Sequence, residues 1–189
     1  MLEYSIGNSK IGKDTLIINM GSATDCPSRQ LGLCNIPEGK CYALKAERQY
    51  PQVLPYRRRQ AIYWQKNSGS EIARDLYHVL VKRPQIKYIR FNEAGDFYGQ
   101  EDYKKLSLIA HLLKDWKFYV YTARADLDYT EERPKNLVVN GSGFIVDNMF
   151  TPNLKQIPKT KTMCKCAGDC KICKLCATRK DLYIYNPMH

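Results

Sequence analysis

Histidine and long apolar runs are the features that this 189-residue chain most lacks. Only three histidines occur, at positions 78, 111 and 189, and they show none of the spacing of histidine-ligated metal sites. The most apolar stretch near the start, residues 15–20, is far shorter than the roughly 20 residues that a membrane-spanning helix needs. The opening residues also lack the basic and apolar pattern of a signal peptide. We therefore expect a cytoplasmic protein that is not held in a membrane.

Repeats, low-complexity segments and phosphate-binding glycine loops are absent from the sequence as well. The run Gly141-Ser142-Gly143 is not followed by the lysine and helix that a phosphate loop requires. The remaining composition, 44% hydrophobic and 26% charged residues, is that of a globular protein and not of a disordered or fibrous one. The length suits one domain, or one domain with a small appendage.

Acidic residues are also scarce, with 19 Asp and Glu against 30 Lys and Arg and a formal net charge of +11. Residues 151–189 alone carry 8 basic and 2 acidic side chains. Such a surplus is typical of proteins with a polyanionic partner, such as nucleic acid or a nucleotide. The run Arg57-Arg58-Arg59 spreads around its helix, so we expect a solvated face with one ion-paired member.

Strands that alternate with helices predict an α/β fold with a mostly parallel sheet. Short apolar runs predict strands at residues 16–20, 86–91, 118–122, 137–140 and 182–185. Helical spacing and helix breakers predict helices at residues 41–49, 55–67, 70–81 (with Ser70 as N-cap) and 100–114. A further strand at 144–146 follows the fourth after only three residues. A parallel crossover needs a dozen or more, so we expect that pair to be a hairpin or one bent strand.

Polar, glycine-containing segments follow the predicted strands, at the sheet edge where parallel α/β proteins place their sites. The segment after the second strand supplies candidate ligand-binding residues, namely Asn92, Glu93, Gly95 and Asp96. Residues 1–150 are expected to form the α/β core with an N-terminal cysteine loop. Residues 151–189 are expected to form a cysteine-rich segment and a final strand.

Eight cysteines form the most informative pattern, and in a reducing compartment they favour metal binding over disulfides. Five lie within thirteen residues, at Cys164, Cys166, Cys170, Cys173 and Cys176. The neighbouring lysines are expected to lower the thiol pKa values and so favour thiolate ligands. Overlapping C-x-x-C units suit tetrahedral zinc, and close C-x-x-C-x-x-C packing equally suits a 4Fe-4S cluster. Spacing does not separate these two alternatives.

The other three cysteines, Cys26, Cys34 and Cys41, lie on one long loop after the first predicted strand. Their gaps are wider than the tight ligand pairs of structural zinc sites. Three thiolates on one loop suit an iron–sulfur cluster whose fourth iron is open or is ligated from elsewhere in the chain. If one C-terminal cysteine completes this set, each of two sites has four ligands.

Several stretches of the sequence resemble a phage-borne family named after gene product 88 of a mycobacteriophage. The resemblance extends from about residue 8 to about residue 180 and implies a phage or prophage origin more firmly than an activity. The stretches that carry it are Asp25-Cys26-Pro27-Ser28, Leu33-Cys34, residues 41–47, the region of residues 56–60, Arg90-Phe91 through Gly95-Asp96-Phe97, and Cys173-x2-Cys176.

The cysteine loop closed by Cys41-Tyr42-Ala43, followed by the Gly95-Asp96 strand end, is also similar to radical S-adenosylmethionine enzymes and their phage-borne relatives. That resemblance implies a partial (β/α) barrel, a reduced form of the radical-SAM core. It implies that the three N-terminal cysteines hold a 4Fe-4S cluster whose open iron chelates S-adenosylmethionine. It further implies that Asn92 to Asp96 line the cofactor pocket and that the C-terminal cysteines hold an auxiliary cluster.

Two functions follow as hypotheses. The first is a phage-encoded iron–sulfur protein that performs redox or radical chemistry on a nucleotide, nucleic acid or peptide, with electrons from a host donor. The second is a zinc-stabilised basic binding module for nucleic acid or a host protein. An anionic cluster would neutralise part of the positive charge, so the cysteines are a stronger guide to function than the basicity.

Overall fold

The computed structural model describes residues 1–187, and in it eight strands form one mostly parallel sheet. The strands are β1 (Ser5–Ile6), β2 (Thr15–Ile18), β3 (Tyr88–Phe91), β4 (Lys117–Thr122), β5 (Leu137–Ser142), β6 (Asn148–Thr151), β7 (Met163–Lys165) and β8 (Leu182–Tyr185). Their order is β1-β2-β3-β4-β5-β6-β8-β7, and only the β1–β2 pair is antiparallel. No described residues pair β1 with β7. The α/β class is therefore confirmed as an open sheet, and the partial barrel stays a prediction.

Six helices accompany the sheet, and the four longest match the predicted ones with small shifts of their ends. They are α1 (Pro27–Gln30), α2 (Tyr42–Gln49), α3 (Val53–Lys66), α4 (Gly69–Leu80), α5 (Gln100–Leu112) and α6 (Leu175–Thr178). None of these helices, within residues 1–187, is long and apolar enough to cross a membrane. Short elements such as β1, β7, α1 and α6 were not predicted, because two to four residues carry too little periodicity.

One face of the sheet holds the hydrophobic core. Successive strand residues point to opposite faces, so alternate residues of β3, β4 and β5 enter this core together. Trp64 of α3 and the apolar stripes of α4 and α5 cover them. The buried strand residues on this face are Ile89, Phe91, Phe118, Val120, Leu137 and Val139.

The opposite face of the same strands is aromatic and polar. It presents Tyr88 and Arg90 from β3, Tyr119 and Tyr121 from β4, and Asn140 from β5. The cysteine-rich segment covers this face, because Ala177 of α6 packs on Tyr119 and Val138. The predicted final strand is confirmed as β8, which pairs with β6 and joins residues 182–185 to the sheet of the core.

The expected hairpin or bent strand after β5 is wrong. Residues 144–146 form no strand, and β6 lies parallel to β5 with Asn140 beside Asn148. A connection of five residues suffices because the chain reverses direction sharply after β5, and β6 then pairs only with the last residues of that strand. Gly143 allows that reversal, since its φ of 84° lies in the left-handed region that other residues rarely adopt.

Two buried asparagines dock the C-terminal segment on this part of the sheet. The Asn140 amide donates to the carbonyls of Val120 and Cys176, at 3.1 and 3.0 Å. The Asn148 amide donates to the Asn140 side chain and to the Arg179 carbonyl, at 3.0 and 2.8 Å. Buried amides need such partners, so these bonds hold the chain around Cys176 in a defined position against β5 and β6.

The N-cap of helix α4 lies two residues before the predicted one. Ser68, and not Ser70, is its N-cap, because Ser68 and Glu71 exchange both bonds of a capping box. We predict that Ser68→Ala lowers the free energy of unfolding by roughly 1 kcal/mol, the usual cost of losing an N-cap. Ser70→Ala is the matched control and should change it by less. Urea unfolding of both variants measures the difference, and an equal loss in the two would contradict the assignment.

Candidate metal centre

Four of the five C-terminal cysteines line one small cavity of about 40 Å³ between their segment and the polar face of the sheet. The cysteines are Cys166, Cys170, Cys173 and Cys176, and the sheet contributes Arg90, Tyr119 and Tyr121. Within residues 1–187, no three Cys, His, Asp or Glu side chains are placed so that together they could hold a metal ion. The thiols therefore surround a common space without the close convergence of a loaded site.

Hydrogen bonds to the backbone place three of these four cysteines. The Cys166 amide donates to the Tyr185 carbonyl at 2.8 Å, directly after strand β7. The Asp169 carbonyl accepts from the Cys173 amide at 3.0 Å, which closes the turn between the middle cysteines. Cys176 lies in α6, and its carbonyl accepts from Asn140. The sheet thus fixes both ends of the cysteine segment, and a turn joins them.

Cys164 is separate from this group. It lies on the edge strand β7 opposite Ile184 of β8 and does not line the cavity. The sequence spacing gave no reason to single it out, because it is only two residues from Cys166. Cys164 lies within β7, whereas Cys166 follows the end of that strand, and four of the five C-terminal cysteines line the cavity.

The expected lowering of the thiol pKa values by lysines is wrong for two of the four cysteines. Burial raises the pKa of Cys176 to about 11, and it also raises the pKa of Cys170. Lys174 lines the cavity, but its ammonium pairs with Asp14 at 2.8 Å. These thiols are therefore protonated at neutral pH, and a metal that binds them must displace protons.

Arg90 is the positive group on the sheet side of the cavity. Its guanidinium lies over the Tyr121 ring, 5.1 Å from the centroid, and its Nη2 is 3.4 Å from the Tyr42 hydroxyl. Its Nε is buried and has no hydrogen-bond partner among the described residues. Tyr121 in turn acts to lower the pKa of the Cys176 thiol, against the larger effect of burial. The cavity thus combines four thiols with one incompletely satisfied cation.

The N-terminal cysteines lie outside this cavity, on the loops that follow β2. Cys26 caps α1 and is buried, and burial together with the nearby Asp96 raises its thiol pKa to about 12. Cys34 is close enough to Cys26 to add to that shift, and its amide donates to the Ser28 carbonyl at 3.1 Å. Cys41 caps α2 and packs against a small cluster of alanines and Leu44. Cys26 and Cys34 are therefore neighbours, whereas no described contact joins Cys41 to them.

A buried ion pair fixes the start of this loop. The Glu47 carboxylate accepts from the amides of Ala23 and Thr24 at 2.7 and 2.9 Å and from Arg57 Nη1 at 2.9 Å. Arg58 and Arg59 pair with Asp25 and Glu3, respectively. The expected solvated face with one ion-paired member is wrong, because all three arginines of the run have carboxylate partners.

The four candidate ligand-binding residues at the end of β3 all have protein contacts. Asn92 (φ 61°) accepts from the Met20 amide at 3.0 Å, and Glu93 accepts from Asn8 at 2.7 Å. Gly95 has a φ of 74° and approaches Gly21 so closely that a Cβ would lie 2.7 Å from the Gly21 carbonyl carbon. Asp96 accepts from the Ser28 hydroxyl. These contacts account for the residue types structurally, and a role in cofactor binding stays a prediction.

Asp96 joins three parts of this sheet edge. Its carboxylate accepts from the Ser28 hydroxyl at 2.5 Å and from the amides of Phe97 and Ala123, each at 2.8 Å. Burial raises its pKa, although these hydrogen bonds act in the opposite direction. The cysteine loop and the ends of β3 and β4 therefore meet at one carboxyl group.

The family model for gene product 88 matches residues 4–149 of the chain. The chain belongs to the gene product 88 family. No curated protein and no solved structure gives a match to it. The part matched to the gene product 88 family contains the sheet side of the cavity and the three N-terminal cysteines, whereas the cysteines from Cys164 onward lie beyond it.

Sequence reasoning missed the sheet residues of the cavity. Arg90, Tyr119 and Tyr121 lie on predicted strands, but nothing in the sequence indicates which face of the sheet the cysteine segment covers. The one available signal was the alternation of Tyr88 and Arg90 with the apolar Ile89 and Phe91. That pattern predicts a second, polar face without saying what contacts it.

The Glu47–Arg57 pair generates a pH prediction. Burial raises the Glu47 pKa, but the bonds from Ala23, Arg57 and Thr24 outweigh it, so the pKa lies below its ordinary 4.5. The ionised Glu47 carboxylate therefore stabilises the fold fully above its unfolded-state pKa of 4.5, and this contribution is lost as the pH falls through the lower folded-state pKa. We predict that Glu47→Gln lowers the free energy of unfolding by about 3 kcal/mol at pH 7, and by less in acid.

Denaturant unfolding from pH 7 to pH 3 measures this difference. Glu101→Gln is the control, because the Glu101 side chain is 86% exposed and its nearest cation, Lys104, lies at the surface. A gap between wild type and Glu47→Gln that stays constant down to pH 3 would contradict the role of the ionised carboxylate.

Proposed function

We propose that the protein is a phage-encoded iron–sulfur protein that holds a 4Fe-4S cluster through Cys166, Cys170, Cys173 and Cys176. The observation that carries the proposal is the cavity that these four thiols share with Arg90. Four thiolates are the usual ligand set of such clusters. Cys164 is not needed, because it lies outside the cavity on strand β7.

The charge of the site supports an anionic group in the cavity. Metal-bound thiolates carry negative charge, and the buried Nε of Arg90 has no partner among residues 1–187. A buried donor without a partner costs free energy, and an anionic group in the cavity would supply the missing acceptor. Neutral thiols would leave Arg90 uncompensated, so the Arg90 side chain fits a loaded site better than an empty set of thiols.

The surroundings of the thiols also suit a cluster. Tyr121 lines the cavity beside Cys176 and could donate a hydrogen bond to a ligand sulfur, one of the means by which proteins tune such clusters. The sheet fixes both ends of the cysteine segment, at Cys166 and Cys176, and the turn around Asp169 joins these ends. We expect this turn to close around the bound group, because metal binding to thiols is coupled to local folding.

The cluster would make the protein a redox protein that takes electrons from a host donor. The basic surplus favours a nucleotide or nucleic acid substrate, with a peptide as the alternative. A zinc-stabilised binding module for nucleic acid or a host protein is the competing function. It uses the same four thiols, since the overlapping C-x-x-C units of Cys170, Cys173 and Cys176, together with Cys166, also suit tetrahedral zinc.

Anaerobic purification followed by iron, sulfide and zinc analysis tests the proposal. We predict a brown wild-type protein with iron and sulfide, and loss of the iron of this cluster in Cys170→Ser and Cys173→Ser. Cys164→Ser is the matched control and should keep its full iron content. A colourless protein with one zinc per chain would establish the zinc-stabilised module instead. Iron loss in Cys164→Ser equal to that in Cys173→Ser would refute the ligand set.

The similarity to radical S-adenosylmethionine enzymes adds a second part to the proposal. Cys26, Cys34 and Cys41 would hold a second 4Fe-4S cluster, with S-adenosylmethionine bound near Gly95 and Asp96. The adjacency of Cys26 and Cys34 beside Asp96 supports it. The high pKa of Cys26 and the separate position of Cys41 mean that this loop must rearrange to bind a cluster.

We predict that Cys41→Ala loses about half of the iron, since one of two clusters would be removed. The reduced wild-type protein should cleave S-adenosylmethionine and release methionine, and Cys41→Ala should not. Iron analysis measures the cluster content, and chromatography of the products measures the cleavage in the wild-type protein and in Cys41→Ala. Full iron content in Cys41→Ala would contradict the N-terminal ligand set without affecting the C-terminal one.

A further inference from the structure

Arg90 differs from the other arginines that are largely buried in this fold. Arg57, Arg124 and Arg133 each form an ion pair with a carboxylate, at 2.9, 2.7 and 2.7 Å. Arg90 forms no such ion pair with any residue in 1–187. Glu93 acts on it electrostatically, but that carboxylate accepts from Asn8 and lies beside Arg57. Arg90 is therefore a positive charge that the described carboxylates do not neutralise.

Two aromatic contacts hold this charge beside the cavity. Its guanidinium is stacked over Tyr121, and Nη2 approaches Tyr42, so both aromatic contacts hold it in one place. Arg90 itself lines the cavity together with the four cysteines. A guanidinium held beside a group of thiolates raises the stability of whichever state of that group carries more negative charge.

Lys174, the other basic residue of the cavity, is less suited to this role. Its ammonium is paired with Asp14 and lies over the Tyr88 ring, 4.8 Å from the centroid. Lys165 and Lys171 are exposed, so solvent screens their charges. Of the basic side chains near the cysteines, Arg90 is the one whose charge is both partly buried and not opposed by a carboxylate.

We infer that Arg90 sets the reduction potential of the group bound by the four cysteines, a role that rests on the proposed cluster. Reduction adds one electron and one negative charge to the cluster, and it forms or breaks no bond. The Arg90 charge stabilises the reduced form more than the oxidised form, so it raises the potential. Arg90 is in this sense a positioning and tuning residue of the cluster and not one of its ligands.

Anaerobic titration with dithionite, with iron and sulfide counted on the same samples, tests this inference. We predict that Arg90→Gln keeps its cluster but has a reduced-to-oxidised ratio at least tenfold lower at a fixed potential. For a one-electron couple, a tenfold change corresponds to a shift of about 59 mV to more negative potential. Arg90→Lys keeps the charge and should shift by less than Arg90→Gln.

Arg83→Gln is the matched control. Arg83 is also stacked on a tyrosine, 5.3 Å from the Tyr4 centroid, but it does not line the cavity. The reduction potential of the cluster in Arg83→Gln should equal that in the wild-type protein. An iron-loaded Arg90→Gln with the wild-type potential would overturn the inference and leave the cluster itself unaffected.

If Arg90→Gln loses the cluster, the cluster content of Arg90→Lys decides what that loss means. A cluster retained in Arg90→Lys shows that the bound group needs a positive charge at this position, which supports the inference. A cluster lost in both variants makes Arg90 a packing residue and overturns it. Absence of iron and sulfide from the wild-type protein would overturn both the proposed function and this inference.

Discussion

The need to cover a polar sheet face governs the arrangement of this protein. Parallel strands place alternate residues on opposite faces, and here one face is apolar and the other carries Arg90, Tyr119, Tyr121 and Asn140. Helices α4 and α5 bury the first face. The second cannot be left against an apolar layer, because its hydrogen-bonding groups need partners. The cysteine-rich segment covers this face, and the bond from Asn140 to the Cys176 carbonyl holds it there.

This covering layer explains why the cysteines gather where they do. Asn140 and Asn148 bond the carbonyls of Cys176 and Arg179, and β7 and β8 continue the sheet beyond β6. The segment is thus fixed at both ends, and the thiols between them face the tyrosines and Arg90. The thiols of this cavity thus come from one part of the chain, and the charge and aromatic side chains that face them come from another.

The N-terminal cysteine loop is organised differently. Its start is held by the Glu47–Arg57 pair and its middle by the bond from Ser28 to Asp96. Cys26 is buried beside a carboxyl group, a surrounding that opposes thiolate formation. The Tyr42 hydroxyl bonds the Glu93 carbonyl and approaches Arg90, so the helix that Cys41 caps makes contact with a residue of the C-terminal cavity. The two cysteine groups are separate but are linked by these side chains.

Much of the fold was predictable from local patterns. The apolar runs of β2, β3 and β4 and the helical spacing of α4 and α5 determine those elements, because periodicity and burial act over a few residues. The clustering of five cysteines likewise identified a thiol-rich segment as the candidate metal site. The direction of β6 was not predictable, since it depends on how a five-residue reversal pairs with β5 and not on any propensity of its own.

The sequence by itself determined the α/β class, the positions of the main strands and helices, and the presence of a thiol-rich segment. Only the tertiary structure decided that four of those five thiols share a cavity while Cys164 does not. It also decided that Arg90 is the cation which faces them, and that the lysines nearest in sequence are paired or exposed. The reason is physical: charge pairing and face selection depend on residues that are distant in the chain and meet only when the sheet and its covering layer assemble.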